Sequence, residues 1–279
     1  MRESFKKLVP KIIGKYLNTL SYISPSATKE KAFDLFSKPR RGAIGEHHTP
    51  FLDPAKDTII NLNDLKLQTY HWPGKGKTVL LVHGWESHSH RWKMLIEELQ
   101  KKDFNIYAFD APAHGYSTGS NLYVPLYRQA LEEVISYCSP SLIISHSVGA
   151  MTALYHLSQN NDHAIEKAVI LGPPDDLNSI LKEYRSILGL SQRVMNQMDQ
   201  YFLERFGFRS DAFAGSIFAE KIKIPGLIIH DKDDRITSCS GSQNIHKHWE
   251  NSQLVVTEGL NHSLYSDDVN ETIIKYISA

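Results

Sequence analysis

The sequence predicts an α/β protein with a mostly parallel central sheet and helices on both of its faces. From about residue 60, short runs rich in β-branched residues alternate with longer amphipathic stretches, which is typical of parallel strands joined by crossover helices. The chain has 279 residues, of which 41% are hydrophobic. A chain of this size and composition can form one large core domain with an insertion.

The predicted strands and helices follow one another in a regular order along the chain. Seven segments have the length and composition of strands: residues 65–72, 78–85, 105–112, 142–147, 168–174, 225–234 and 253–260. Amphipathic segments predict helices at about 88–101, at 122–138, from Val148 onward, at 240–250 and at 268–278. Because strand and helix alternate, we expect most strands to lie parallel in one sheet.

The alternation stops between residues 175 and 220. Apolar residues there recur at helical spacing in two sets, with no strand between the sets. We predict a helical cap over residues 175–220, inserted into a core of residues 59–174 and 221–279. Packing between two helices explains most of these apolar residues. A lid whose inner face lines a substrate pocket, with Met195 and Met198, is the sharper hypothesis.

Residues 1–58 form an N-terminal extension in this prediction. Five apolar residues recur at helical spacing near its start: Phe5, Leu8, Ile12, Tyr16 and Leu20. Lysines interrupt the apolar stretch and no small-residue cleavage site follows, so the pattern does not fit a signal peptide. We expect a helix that docks on the domain or on a partner subunit. Contact of residues 1–22 with a membrane surface is the alternative.

Composition excludes several classes of protein. The chain carries 31 lysines and arginines and 31 aspartates and glutamates, so it lacks the general basic character that nucleic-acid binding favours. Its apolar runs are far shorter than the roughly 20 residues of a membrane-spanning helix. Cys138 and Cys239 have no metal-type spacing, which indicates buried side chains in a reducing compartment. We expect a cytoplasmic protein without nucleic-acid partners, and the sequence does not predict its oligomeric state.

A serine nucleophile is indicated by residues 142–150, LIISHSVGA. In a strand-to-helix nucleophile turn, the residues two before and two after the serine must be small, so that strand and helix can approach closely. Around Ser147 these neighbours are Ser145 and Gly149, whereas around Ser145 they would include the bulky Ile143. The pattern therefore predicts Ser147 as the nucleophile and Ser145 as a tolerated replacement for glycine.

Acid and base candidates follow two later strands. Serine is a weak nucleophile at neutral pH, so it needs a base to accept its proton and a further group to orient that base. Asp231, Asp233 and Asp234 stand at the end of one predicted strand, and His262 follows the next. Because open α/β sheets build their sites at the carboxyl ends of strands, we expect these residues to lie near Ser147.

Four motifs occur in the core in a fixed order: VHGW (82–85), DAPAHGYS (110–117), SHSVG (145–149), and HDKDDRIT (230–237) with EGLNH (258–262). With them, most of residues 65–279 resembles the α/β-hydrolase superfamily. The resemblance implies the α/β-hydrolase fold. It also implies that the acid stands four residues after His230, at Asp234, with Asp233 and then Asp231 as alternatives.

The oxyanion that forms when the serine attacks needs two backbone NH donors. Val148 follows the nucleophile and opens a helix, so its NH is one expected donor. The resemblance implies the NH of Trp85, which follows Gly84, as the other. In the superfamily the position of His146 commonly points into the sheet packing. His146 and the Trp85 side chain are also candidates for lining the substrate pocket.

These candidates predict a serine hydrolase that cleaves a carboxylic ester of a small or medium, largely apolar substrate through an acyl-enzyme. A thioesterase, a peptidase or a C–C hydrolase can use the same three groups. A binding or sensing protein that keeps the fold without turnover is a further alternative. The reaction needs no cofactor. His83, His88 and His90 lack supporting ligands at suitable spacing, so no metal site is predicted.

Overall fold

The computed structural model describes residues 2–159 and 164–279, and their side chains from residue 8 onward. The side chain of Phe5, which belongs to the predicted N-terminal pattern, lies outside the described residues. Within the described part of the chain, no helix combines the length and the apolar character needed to cross a membrane.

The chain is divided into two compact units, each made of two separate stretches of sequence. We call Pro39–Asp175 with Gly215–Ala279 the sheet unit. Met1–Lys38 with Asp176–Ala214 form the helical unit. The sheet unit contains all of the candidate catalytic residues, whereas the helical unit contains both predicted pocket methionines.

Helices and strands alternate over most of the sheet unit, as the sequence predicts. In the described residues the helices are α1 (Arg2–Ile23), α2 (Pro25–Ser37), α3 (Thr49–Leu52), α4 (Lys93–Lys101), α5 (Val124–Cys138), α6 (Val148–Gln159), α7 (Leu177–Leu188), α8 (Gln192–Phe206), α9 (Gly215–Ala219), α10 (Cys239–His248) and α11 (Asp267–Ser278). The strands are β1 (Lys56–Leu62), β2 (Leu65–Trp72), β3 (Thr78–Val82), β4 (Asn105–Phe109), β5 (Leu142–His146), β6 (Lys167–Leu171), β7 (Gly226–Asp231) and β8 (Ser252–Thr257).

The strands form one sheet in the order β1-β2-β4-β3-β5-β6-β7-β8. The strands from β4 to β8 in this order all pair in parallel. β1 and β2 pair antiparallel at one edge, and β2 is also antiparallel to β4. The predicted mostly parallel sheet is therefore confirmed. β1 was not predicted, because most of its residues are exposed or half-buried and it lacks the apolar run of the central strands.

Helices cover both faces of the sheet, so its central strands are buried on each side. β5 is buried over its whole length. On one face, α4 and α11 contribute Ile96 and Ile273 to a core that includes Leu81 and Ile144. α5, α6 and α10 contact β3, β5 and β7. The rigid sheet brings the carboxyl ends of β3, β5, β7 and β8 to one edge, where the loops that follow these strands build the candidate site.

The helical unit packs α1 and α2 against α7 and α8. α1 and α7 approach so closely that a Cβ at Gly14 would lie 1.9 Å from the carbonyl oxygen of Leu188. Between α2 and α8, the ring centroids of Phe33 and Phe202 are 5.7 Å apart. This aromatic and close backbone packing gives the helical unit a core of its own.

The units differ from the predicted domain boundaries. The predicted extension, residues 1–58, is divided between the two units, and residues 176–214 of the predicted cap (175–220) share their unit with α1 and α2. α9 belongs to the sheet unit. Local periodicity shows that a helix has an apolar face, but not which distant helix covers it. The role of the cap as a lid stays a prediction.

Candidate active site

Ser147 occupies the sharp turn between β5 and α6. Its φ is 55°, in the left-handed region that costs a non-glycine residue about 1–3 kcal/mol and is often found at functional sites. The NH of Ser147 donates to the carbonyl oxygen of Leu171 at 2.9 Å, and the NH of Met151 donates to that of Ser147 at 3.1 Å. The turn is thus held by the neighbouring strand and by the helix that follows.

Two glycines let backbone approach this turn closely. A Cβ at Gly149 would lie 2.3 Å from the carbonyl oxygen of His83, and a Cβ at Gly84 would lie 2.9 Å from the Cβ of Ser147. Neither position accepts a side chain unless the surrounding backbone moves. Ser145 is different, because it is accommodated within β5 and its hydroxyl donates to the carbonyl oxygen of Val169 at 3.3 Å. A serine therefore fits where the motif usually has glycine.

His262 lies between Ser147 and Asp234. Its Nδ1 is 2.7 Å from Asp234 Oδ2, and its Nε2 is 3.0 Å from Ser147 Oγ. A carboxylate only accepts hydrogen bonds, so Nδ1 carries the ring proton and Nε2 is free to accept the proton of the serine hydroxyl. The structure thus brings together the three residues predicted as nucleophile, acid and base.

The side chain of Asp234 is buried and accepts hydrogen bonds from several donors. Its Oδ1 accepts from the backbone NH groups of Ile236 at 2.8 Å and Thr237 at 3.0 Å. Burial alone would raise the pKa of Asp234, but hydrogen bonds from His230, His262 and these two NH groups hold the pKa well below its usual value. The carboxylate is therefore ionised at neutral pH and can orient the Nδ1–H of His262.

The other two acid candidates have different partners. Asp231 accepts from the NH of Leu260 at 3.0 Å, and Asp233 accepts from the NH of Gly259, also at 3.0 Å. Asp231 ends β7 and Asp233 follows it, so both carboxylates join the carboxyl end of β7 to the segment after β8. They therefore hold the loops together, while Asp234 is the aspartate placed against the histidine.

Two further side chains contact Asp234, and sequence reasoning did not include them in the site. Thr237 Oγ1 lies 2.8 Å from Asp234 Oδ2 and 3.2 Å from His262 Nδ1. His230 Nε2 lies 3.3 Å from Asp234 Oδ2, and His230 Nδ1 lies 2.6 Å from Ser242 Oγ. The spacing of both residues from Asp234 was visible in HDKDDRIT. Spacing within a loop, however, does not show where a side chain points.

His146 connects the nucleophile turn to the base loop, residues 258–264. Its Nε2–H donates to the carbonyl oxygen of His262 at 2.8 Å, and the two ring centroids are 4.8 Å apart. Its Nδ1 is buried and has no partner among the described residues. Burial, together with Arg91 and His262, lowers the pKa of His146 well below its usual value. A neutral ring thus lies beside His262, and the predicted place of His146 in the substrate pocket stays a prediction.

The NH groups of Trp85 and Val148 are the predicted oxyanion donors. Among the described residues, neither NH has a hydrogen-bond acceptor. For Val148 this is expected, because it begins α6 and the first NH groups of a helix are unpaired. Trp85 follows Gly84, which approaches Ser147 closely. The half-buried Trp85 ring lies with its centroid 5.8 Å from that of His114. The two NH groups are free to bind a ligand oxygen.

The remaining predicted pocket residues, Met195 and Met198, lie on α8 in the helical unit. Met198 is completely buried and Met195 is half-buried. Met198 is one of three buried residues of α8, with Val194 and Phe202. Packing within the helical unit accounts for Met198, and the assignment of both methionines to a substrate pocket stays a prediction.

Comparison with known proteins agrees with this architecture. The family model described as "Serine aminopeptidase, S33" (Hydrolase_4) matches residues 74–204. An uncharacterized abhydrolase domain-containing protein of Dictyostelium discoideum is 22% identical over 255 residues, which is 76% of this chain and 27% of that protein. A pimeloyl-[acyl-carrier protein] methyl ester esterase of Xylella fastidiosa is 31% identical over 84 residues, which is 29% of this chain and 31% of that protein. The matches span less than a third of the length of these two relatives.

The solved structure of Est1E from Butyrivibrio proteoclasticus, with ferulic acid bound, has a similar fold. It matches with a TM-score of 0.64 at 20% identity, over 80% of this chain and 100% of that chain. The mostly parallel sheet, with a serine after β5 and carboxylate and histidine groups after β7 and β8, is the arrangement of the α/β-hydrolase fold. The chain therefore has the α/β-hydrolase fold.

Proposed function

We propose that this protein is a serine hydrolase that cleaves a carboxylic ester of a small or medium, largely apolar substrate through an acyl-enzyme. The observation that carries the proposal is the hydrogen-bonded series from Asp234 through His262 to Ser147, with distances of 2.7 and 3.0 Å. This series supplies a base for the serine proton and a buried carboxylate that orients the base.

The proposed reaction begins when Ser147 Oγ attacks the ester carbonyl and His262 Nε2 accepts the serine proton. The imidazolium that forms is stabilised by the ionised carboxylate of Asp234, and the oxyanion accepts hydrogen bonds from the NH groups of Trp85 and Val148. His262 then gives its proton to the leaving alcohol, which leaves the serine acylated. Water then attacks the acyl carbonyl and gives a proton to His262, which passes it to Ser147 Oγ as the carboxylic acid leaves.

The ester bond is proposed from the relatives, since the same groups also cleave thioesters, amides and C–C bonds. The Xylella fastidiosa relative is a methyl ester esterase, which favours an ester. The matching family model is described as a serine aminopeptidase family, which makes an amide the second candidate. The largely apolar substrate is proposed from the apolar residues of the predicted cap.

A fluorophosphonate probe tests the nucleophile, because it reacts with activated serines. We expect the wild-type protein to be labelled and Ser147→Ala to remain unlabelled. Ser145→Ala is the matched control, since this serine lies two residues away, and we expect it to be labelled like the wild type. Absence of labelling in folded wild-type protein, or equal labelling of wild type and Ser147→Ala, would contradict the proposal.

A substrate panel tests the bond type. Wild type and His262→Ala are assayed with p-nitrophenyl esters of increasing chain length, with thioesters and with aminoacyl amides. We expect the highest kcat/KM on an ester, and we expect His262→Ala to lower that kcat by about a thousandfold or more. A preference for aminoacyl amides would instead support the peptidase alternative, while a small effect of His262→Ala would exclude this residue as the base.

A further inference from the structure

The outward side of α1 carries an apolar, exposed surface. Six large residues form this surface, which we call the α1 outer face: Leu8, Val9, Ile12, Tyr16, Tyr22 and Ile23. Each of them is exposed to between 50% and 76%. Leu8, Ile12 and Tyr16 follow at intervals of four residues, so they lie along one side of the helix. Contiguous exposed apolar surface of this kind marks binding sites.

The opposite side of α1 already holds the helix on the helical unit. Leu17 and Ser21 are buried. Asn18 Nδ2 donates to the carbonyl oxygen of Gly189 at 2.9 Å, and Arg193 Nε donates to that of Ser21 at 3.0 Å. Rotation of α1 to bury its outer face would break these contacts, so the α1 outer face is left for another partner.

The helical unit that carries the α1 outer face is basic. Residues 1–23 contain five lysines and arginines but one glutamate. The helical unit as a whole contains thirteen lysines and arginines against eight aspartates and glutamates, whereas the complete chain is neutral. The guanidinium of Arg193 lies 4.7 Å from the centre of the Tyr22 ring, and Lys15 is exposed beside Tyr16. The partner should therefore combine apolar surface with negative charge.

We propose that the α1 outer face binds the surface of an anionic phospholipid membrane, with the helix lying in the plane of the interface. Its apolar side chains enter the boundary of the acyl region while the basic side chains contact lipid phosphates. The tyrosines suit the boundary between the acyl chains and the headgroups, because each has an apolar ring and a polar hydroxyl. A second copy of the chain fits less well, since a two-fold pairing of this face brings its own positive charges together.

Vesicle co-sedimentation tests the proposal. Wild-type protein and the double variant Ile12→Ser/Tyr16→Ser are mixed with vesicles of phosphatidylcholine alone or of phosphatidylcholine with phosphatidylglycerol. We expect the wild type to bind the anionic vesicles at least about tenfold more strongly than the neutral ones. The double variant should lose about tenfold or more of that binding. The matched control Ile59→Ser removes an isoleucine from β1 that is 44% exposed, and it should bind like the wild type.

Several results would overturn the proposal. These are no sedimentation of the wild type with anionic vesicles, equal sedimentation of wild type and double variant, or equal binding to both kinds of vesicle. Analytical ultracentrifugation without lipid tests whether a second copy of the chain covers the α1 outer face. A wild-type dimer that the double variant abolishes would assign this face to self-association. Circular dichroism checks that the variants keep their helices. None of these measurements uses enzymatic activity, so their outcome does not depend on the proposed hydrolase function.

Discussion

The turn that carries Ser147 and the loops that carry Asp234 and His262 are positioned in different ways. At the turn, the absence of side chains is decisive, because Gly84 and Gly149 let backbone meet at distances that leave no room for a Cβ. At the acid and base, side-chain hydrogen bonds are decisive. The carboxylate of Asp234 accepts three of these hydrogen bonds, from the backbone NH and the hydroxyl of Thr237 and from the ring of His262.

This difference indicates how each region should respond to substitution. Close backbone packing has no flexible group that can give way, so a side chain added at the turn should damage folding and activity together. A set of hydrogen bonds can lose one member while the others keep the loop in place. Variants of the acid and base loops should therefore lower activity more than stability.

Among the aspartates after β7, the largest loss of activity is expected from Asp234→Asn. An asparagine can present an NH₂ group to His262, which favours the wrong tautomer, so we expect kcat to fall by about a thousandfold or more. Asp233→Asn is the matched control, because Asp233 contacts the NH of Gly259, and its kcat should stay within about tenfold of wild type. Steady-state kinetics on the best ester measures kcat for both variants. A larger loss for Asp233→Asn would identify Asp233 as the catalytic acid.

Gly149→Ala should produce the largest combined loss of stability and activity. Its Cβ would lie 2.3 Å from the carbonyl oxygen of His83, so we expect the free energy of unfolding to fall by about 3 kcal/mol and kcat by about a hundredfold. Gly259→Ala is the control, since φ there is 80° and nothing lies within 4 Å, and it should cost about 1 kcal/mol. Urea unfolding measures the free energy of unfolding of both variants. Equal losses of stability in Gly149→Ala and Gly259→Ala would refute a special role of close packing at the turn.

His146 connects the Ser147 turn to the base loop through its hydrogen bond to the carbonyl oxygen of His262. Its variants therefore show whether the turn and the base loop are coupled. Glutamine can place an amide NH near the position of the ring Nε2, whereas the shorter asparagine cannot. We expect His146→Asn to lower kcat by about tenfold with little change in KM, and His146→Gln to stay within about threefold of wild type. Faster hydrogen exchange of residues 258–264 in His146→Asn alone would support the coupling. Equal kcat values for the two variants would argue against it.

The smallest effect is expected from Ser145→Gly. The substitution restores the usual glycine of the turn and removes one hydrogen bond of 3.3 Å to Val169. Activity should change by less than about tenfold, which corresponds to ~1.4 kcal/mol of barrier. Kinetics on the same ester as for the other variants measures the effect. A loss as large as that of Ser147→Ala would mean that Ser145 has a chemical role.

Most of the sheet was predictable because its central strands are short apolar runs between polar turns. The predicted segments 78–85 and 142–147 contain β3 and β5, with ends displaced by a few residues. β1 was missed because half-exposed strands lack such a run. The partners of α1 and α2 were also missed, since α7 and α8 follow them by roughly 150 residues of chain and periodicity does not identify a distant partner.

The candidate site, like the fold, could be predicted from the sequence only in part. Ser147 and His262 could be placed from residue size and strand ends, which are local properties. The contacts of Thr237 and His230 with Asp234 could not, although both residues stand within four positions of it. Loop residues have no periodicity that fixes the direction of a side chain.

The sequence by itself determined the fold class, the serine with small neighbours at the nucleophile turn, and the chain order of serine, aspartate and histidine. These features are local, because apolar runs indicate strands and their ends, and the size of each residue is known directly from the sequence. Only the tertiary structure decided that Asp234 contacts His262, that His146 donates to the base loop, and that α1 leaves an apolar face exposed. Those outcomes depend on side-chain direction and on contacts between residues far apart in the chain, which no local pattern encodes.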